Sequence, residues 1–277
     1  MSRTPPRPAS VLITGASSGI GRALALEYAA PGRHLVLIGR NADRLEEVAT
    51  AARQKGATVT IGAIDVRDRL ALAGFITAID RETPIDLAIA NAGVTGGIGR
   101  DRPFETPEAV RALLAVNLVG VLNTVEPLLE PMSRRRAGRI AVVGSISGLK
   151  GMLYSPAYCA AKSAVHAWAD SMRGSLARFG VGVTLIVPGF VTTPLNADLE
   201  CPKPFAMPPE RAARIIRRGL DRGRAVVAFP RIIVFATALL RYLPRRIVDR
   251  VMAGIEVEIT ETTDRVVEWI GRPGGKA

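Results

Sequence analysis

Residues 14–21 read Thr14-Gly15-Ala16-Ser17-Ser18-Gly19-Ile20-Gly21. A short apolar run, 11–14, leads into them, and an amphipathic stretch, 19–30, follows. The order is strand, glycine-rich turn, helix. A helix N-terminus offers unpaired N–H groups and the positive end of the dipole, and glycine lets the backbone come close to an anion with no Cβ in the way. Such a turn suits the pyrophosphate of a dinucleotide. An ordinary tight loop is the competing reading, and the position between a strand and a helix favours binding. Ser17 or Ser18 can also cap the helix.

The same alternation continues outward from this turn. Residues 35–38, 59–64, 87–90, 140–143 and 183–187 are short, rich in Val and Ile, and bounded by Gly, Pro or charge, so they read as buried strands. Helical patterns fill 42–55, 67–81, 107–133 and 156–179 between them. This predicts an α/β fold, a doubly wound parallel β-sheet with helices on both faces and a ligand crevice at the strands' carboxyl ends. No repeat or linker divides the 277 residues, so one domain is expected. Beyond Pro188 the pattern loosens into a loop or short helices over 192–207. A helix at 209–220, a last strand at 225–229 and an apolar stretch at 232–243 follow. Residues 255–259 fit either a strand or a helix.

Four segments sit at the predicted strand ends. Asn91-Ala92-Gly93 follows the fourth strand, and Ser145, in Gly-Ser-Ile-Ser-Gly, follows the fifth. Tyr158-Cys159-Ala160-Ala161-Lys162 comes thirteen residues after Ser145, and Pro188-Gly189-Phe190-Val191-Thr192-Thr193 follows the sixth strand. Ser155 and Pro156 are N-cap and N1 residue types, which places Tyr158 in the first turn of a helix and Lys162 one turn on, on the same face. A free phenol, with a pKa of about 10, is a poor base at neutral pH. A neighbouring ammonium, the helix N-terminus and an oxidised nicotinamide would favour the phenolate and let Tyr158 exchange a proton with a substrate oxygen. Ser145 would donate a hydrogen bond to that oxygen. An isolated Tyr-x-x-x-Lys is ordinarily only a helix face, so the context carries the reading.

Together with the Gly-x-x-x-Gly-x-Gly spacing of the first turn, these segments resemble the short-chain dehydrogenase/reductase family over about 10–195. The resemblance implies a Rossmann fold and an oxidoreductase that interconverts a ketone or aldehyde and an alcohol with a nicotinamide cofactor. It implies Tyr158 as acid/base, Ser145 (in preference to Ser147) beside the reacting oxygen, Lys162 on the nicotinamide ribose and Asn117 completing a proton relay through water. It places the cofactor on Gly15, Ser17, Ser18, Gly19, Ile20 and Gly21, with Asp65 and Val66 flanking the adenine. Asn91, Ala92 and Gly93 line the same site, as do Pro188 and Gly189, while Thr193 meets the nicotinamide amide with Val191 nearby. The family often forms homodimers or homotetramers through its long helices, here 107–133 and 156–179.

Cofactor choice turns on the end of the second strand, where an acidic residue would bind a ribose hydroxyl and repel a 2′-phosphate. Gly39 stands there and Arg40 follows, so NADP(H) is expected over NAD(H). The resemblance departs at Ser18, where many NADP-using relatives carry a base. Cys159 is expected to be a packing residue, and His34 and His166, with no matching partners, to be structural or surface residues.

Net charge is +12, and residues 203–250 hold twelve basic side chains against three acidic ones. An anionic partner or surface is one reading of that segment, in the form of a peripheral membrane contact. An oligomer interface or a lid over the site is the other. Nucleic acid is not expected, since no recognition motif occurs and aromatics are 5%. The N-terminal residues lack the apolar core of a signal peptide, no uninterrupted apolar run of spanning length occurs, and the two cysteines have no metal or redox spacing. A cytoplasmic setting is therefore expected. Phe190, Met152 and Leu153 point to a hydrophobic carbonyl substrate. A nucleotide sensor without catalysis is the alternative function, which loss of the Tyr or Lys would have favoured; both are present.

Overall fold

A computed structural model describes residues 7–98, 103–153, 155–196, 199–200, 203–240, 242–244, 246–248, 250 and 258–259. Strands β1 (Ser10–Thr14), β2 (His34–Gly39), β3 (Thr58–Ala63) and β4 (Leu87–Ala90) alternate with helices α1 (Gly19–Tyr28), α2 (Ala42–Gln54) and α3 (Arg69–Glu82). Helices α4 (Pro107–Leu114) and α5 (Gly120–Arg134), strand β5 (Gly138–Val143), helix α6 (Pro156–Ala177) and strand β6 (Val181–Pro188) follow. The chain continues through β7 (Leu199–Glu200), α7 (Pro209–Asp221), β8 (Val226–Phe229), α8 (Arg231–Leu239) and β9 (Glu258–Ile259).

Seven strands form one parallel sheet in the order β3-β2-β1-β4-β5-β6-β8. The strand order reverses beside β1, between β1 and β4, and this switch point opens the crevice that the glycine turn borders. β1 and β4 are buried along their whole length, because helices cover both faces of the sheet. Leu12, Val36, Ile38, Ala88 and Ile140 point to the face covered by α3, α5 and α6; Val11, Ile13, Leu35, Leu37 and Ile89 point to the face covered by α1, α2 and α7. The alternation along each strand sorts its side chains between two separate cores.

One expectation is corrected, a second is qualified, and an open reading is decided in part. The single helix expected over 107–133 is interrupted by a π-helical turn, Ala115–Val119, which holds Asn117. Pro107–Arg134, 28 residues, is long and apolar enough to cross a membrane, although no uninterrupted apolar run was seen; half of its apolar window is buried inside the protein. Leu113, Val116, Val121, Val125, Leu128 and Met132 spend that apolar face on the core. Third, Glu258–Ile259 pairs antiparallel with Leu199–Glu200, so the end of the undecided 255–259 stretch is a strand; its residues 255–257 lie outside the described residues, as does Cys201.

Candidate active site

The glycine turn is built by contacts that admit no side chain. Gly15 has φ +64, a left-handed conformation, and a Cβ there would stand 2.9 Å from Ala92 Cα. A Cβ on Gly21 would stand 2.1 Å from Gly15 O. Asn91 Nδ2 donates to Thr14 O (2.9 Å), and the backbone N–H groups of Asn91 and Ala92 donate to Thr14 Oγ1 (3.1 and 3.2 Å). These bonds fasten the end of β4 to the end of β1. Ser18 occupies the N-cap position of α1, but no side-chain capping bond forms, so it does not make the cap that its residue type allows. The first N–H groups of α1 are thus left to an anion, as a pyrophosphate site requires. Ile20 lies against the α1 side of the core, and Thr193 closes over the turn, its Cγ2 3.1 Å from where a Gly19 Cβ would be. Gly189 N–H donates to Phe229 O (2.7 Å), which ties the segment after Pro188 to β8, and Val191 is buried and bridged to Met207.

At the far end of the crevice Arg67 grips Asp65 with four bonds: its backbone N–H to Oδ1 at 2.9 Å, Nε to both Oδ1 and Oδ2 at 3.1 Å, and Nη2 to Oδ2 at 2.7 Å. Burial alone would raise the Asp65 pKa, but the bonds from Arg67 and the charges of Arg67 and Arg40 hold it below its usual value. Burial lowers the Arg40 pKa, Asp65 opposes, and Arg67 and Arg44 lower it further. Two guanidiniums, Arg67 and Arg40, therefore act on one carboxylate, and Arg44 adds its charge beside Arg40. Ser17 Oγ faces Gly39, 3.5 Å from where its Cβ would stand, and Val66 is buried against Gly120. Sequence reasoning found Arg40 and missed Arg44 and Arg67.

Tyr158 and Lys162 lie one turn apart on α6, with Lys162 Nζ 5.7 Å from the centre of the Tyr158 ring. Ser145, at the end of β5, is hydrogen-bonded to the Tyr158 side chain, and its Oγ accepts the Ser147 N–H (3.1 Å). Lys162 is buried and donates to Val143 O (2.9 Å). Burial pushes the Lys162 pKa down to about 8. Burial also pushes the Tyr158 phenol up to about 12, the Ser145 bond opposing. In the chain alone burial outweighs the Ser145 bond and favours the protonated phenol; the expected phenolate also draws on the charge of an oxidised nicotinamide.

Asn117 is fully buried in the π-helical turn. Its Nδ2 donates to Val94 O (2.8 Å) and Leu113 O (3.0 Å), and its Oδ1 accepts the Val94 N–H (3.2 Å). The carboxamide thus fixes the backbone at Val94, directly after Asn91, Ala92 and Gly93. A Cβ on Gly93 would stand 2.9 Å from Asn117 Oδ1 and 3.6 Å from Lys162 Nζ.

Ser155 sits at the N-cap of α6 without capping it. Glu105, from the loop before α4, takes that place: its Oε2 accepts the Ala157 N–H at 2.9 Å. Glu105 Oε1 is buried with no hydrogen-bond partner among the described residues, and burial raises the carboxyl pKa. His166 is buried and structural, with Nε2 3.4 Å from the Ser145 N–H. Neither contact carries a local sequence signal, since the partners lie 52 and 21 residues apart.

The short chain dehydrogenase family pattern matches residues 9–203. The protein belongs to the short-chain dehydrogenase/reductase family. An uncharacterized oxidoreductase of Myxococcus xanthus (strain DK1622) is 36% identical over 242 residues, 87% of this chain and 94% of that one. A short-chain dehydrogenase from Sphingobium yanoikuyae, solved with NADPH, superposes with a TM-score of 0.72 at 25% identity, covering 80% of this chain and 87% of that one. An NAD+-bound xylitol dehydrogenase superposes with a TM-score of 0.62 at 28% identity, covering 66% and 70%. These two solved relatives thus hold a nicotinamide cofactor, one in each form, and the uncapped turn, closed to a Cβ at Gly15 and Gly21, fits its pyrophosphate.

Proposed function

We propose that this family member is an NADP(H)-dependent reductase of hydrophobic ketones or aldehydes, with Tyr158 as its proton donor. The observation that carries this reading is the Tyr158 phenol, held protonated at about 12, hydrogen-bonded to Ser145 and stacked beside the Lys162 ammonium. A bound nicotinamide supplies the hydride to the carbonyl carbon. Tyr158 Oη gives its proton to the carbonyl oxygen, and Ser145 Oγ donates a hydrogen bond to the same oxygen as charge develops there. Lys162 stabilises the phenolate left behind, and Asn117 connects it to solvent through water. A protonated donor suits reduction better than alcohol oxidation.

Preference for NADP(H) rests on Gly39, which carries no repelling carboxylate, and on Arg40, Arg44 and Arg67, whose positive charge outweighs the negative charge of Asp65. The half-buried Phe190, Met152 and the 43% exposed Leu153 support an apolar substrate. So does a cavity of about 370 Å3 lined by Phe190, Val191, Thr193, Pro194, Lys203 and Ala206. A cytoplasmic homodimer or homotetramer built through α5 and α6 belongs to the same reading.

The test is NADPH and NADH oxidation across carbonyls from short soluble ketones to long-chain compounds. Turnover of the long-chain compounds is expected with NADPH, reduced by about 100-fold or more in Tyr158→Phe. Arg40→Ala and Arg67→Ala are expected to raise KM for NADPH and leave that for NADH nearly unchanged. Tight NADPH binding with turnover of no compound would replace the enzyme by a sensor.

A further inference from the structure

Helix α8 is apolar on two sides, and the protein uses one of them. Ile233 and Val234 pack against the core, and Thr237 is buried. Val234, Leu240, Leu243 and Val248 wall a cavity of about 730 Å3 beneath the helix, closed on the other side by α6, β6 and β8. The outward side carries Ile232, Phe235 and Leu239, which are 62%, 71% and 48% exposed. These positions are three and four residues apart, so they form one row along the helix. Tyr242 and Ile247, 84% and 48% exposed, continue the apolar surface past its end. A helix that is apolar all round belongs in a core or against a second surface.

The charge around this row says which surface. From Arg231 to Arg250 the sequence has five arginines, Arg231, Arg241, Arg245, Arg246 and Arg250, against one acidic residue, Asp249. Arg231 and Arg246, at the two ends of the apolar row, are exposed. A second copy meeting this face across a twofold axis would set arginine against arginine in a drying interface. Anionic headgroups above acyl chains satisfy both parts: the guanidiniums pair with phosphate, while Phe235, Ile232 and Leu239 enter the acyl boundary and Tyr242 rests at headgroup level. We propose that the outward face of α8 and the turn after it seat the protein on an anionic lipid surface. This goes beyond the reductase reading and does not depend on it.

The experiment is co-sedimentation of the full chain with vesicles of phosphatidylcholine alone, or of phosphatidylcholine and phosphatidylglycerol in equal parts, at low and high salt. Binding is expected on the anionic vesicles at low salt, and to weaken with salt. The Ile232→Ser/Phe235→Ser double variant should bind about tenfold less or worse. Both side chains are exposed in solution, so its thermal midpoint should match the parent's, and that match is measured alongside. Absence of binding to the anionic vesicles at low salt overturns the proposal. Equal binding by the double variant overturns the assignment to α8. A self-associated parent that the double variant converts to monomer, with no vesicle binding, puts a second copy on this face instead. Each readout is independent of turnover, so its failure is distinct from failure of the reductase reading.

Discussion

In the proposed reductase Lys162 is the group whose charge should set the working pH. Its ammonium is buried, and burial lowers its pKa to about 8 from 10.5, while Tyr158 keeps its proton up to about 12. On the proposed mechanism reduction requires both groups protonated, so kcat/KM should be full below about pH 8 and fall as pH rises through that value. Lys162→Arg holds its charge at all these pH values and should lose this alkaline limb, even if its maximal rate is lower. A limb that stays in place in the arginine variant assigns it to another group. Glu105 acts one residue from Tyr158. Its carboxyl takes the Ala157 N–H that an N-cap side chain would take. Glu105→Ala should cost about 1–2 kcal/mol in denaturant unfolding. Because burial raises its pKa, the group favours the fold when protonated; that contribution is present below the unfolded carboxyl's pKa and is lost as pH rises through the folded one. Glu105→Gln keeps an acceptor without the charge. It should therefore match or exceed the parent at neutral pH and flatten the acidic part of the stability profile.

The elements place these residues, and one spacing between them is set by absent side chains. α6 crosses the end of β5 closely enough that a Cβ on Gly144 would lie 2.3 Å from His166 Nε2 and 3.2 Å from Ile186 O. Gly144→Ala should destabilise the protein by about 1–3 kcal/mol, and its activity should fall further, because Ser145 is the next residue. His166→Ala in the same chain should restore part of the loss, and strict additivity in this double-mutant cycle would deny the contact. The sequence made the strands legible because an all-buried parallel sheet leaves short Val- and Ile-rich runs, and 87–90 was read to the residue. It did not show the π-helical turn at Asn117, since one extra residue per turn barely disturbs a 3.6-residue periodicity. Ser18 and Ser155 have capping side chains in capping positions, yet neither caps. At α6 a carboxylate 52 residues away fills the role. Motif spacing could point to Ser145, Tyr158 and Lys162, but Arg67 and Glu105 owe their positions to tertiary contacts that no local pattern records.

At the scale of the molecule, two cores on opposite faces of one sheet hold the crevice open from both sides, and the net charge of +12 surrounds it with a positive field. That field acts on any anionic ligand before contact, and it is screened over about 8 Å at physiological ionic strength. NADPH carries the extra charge of its 2′-phosphate, so it should feel the field more than NADH does. Raising salt should therefore raise KM for NADPH more steeply than KM for NADH, with kcat for both nearly constant, because in the proposed site Ser145 and Lys162 are buried and Tyr158 is half-buried, where salt screens little. The steeper slope should shrink toward the NADH slope in Arg40→Ala/Arg67→Ala, which removes the local cations and leaves the general field. Equal slopes for the two cofactors in the parent protein would place the 2′-phosphate away from these arginines and assign the charge excess to the surface around α8.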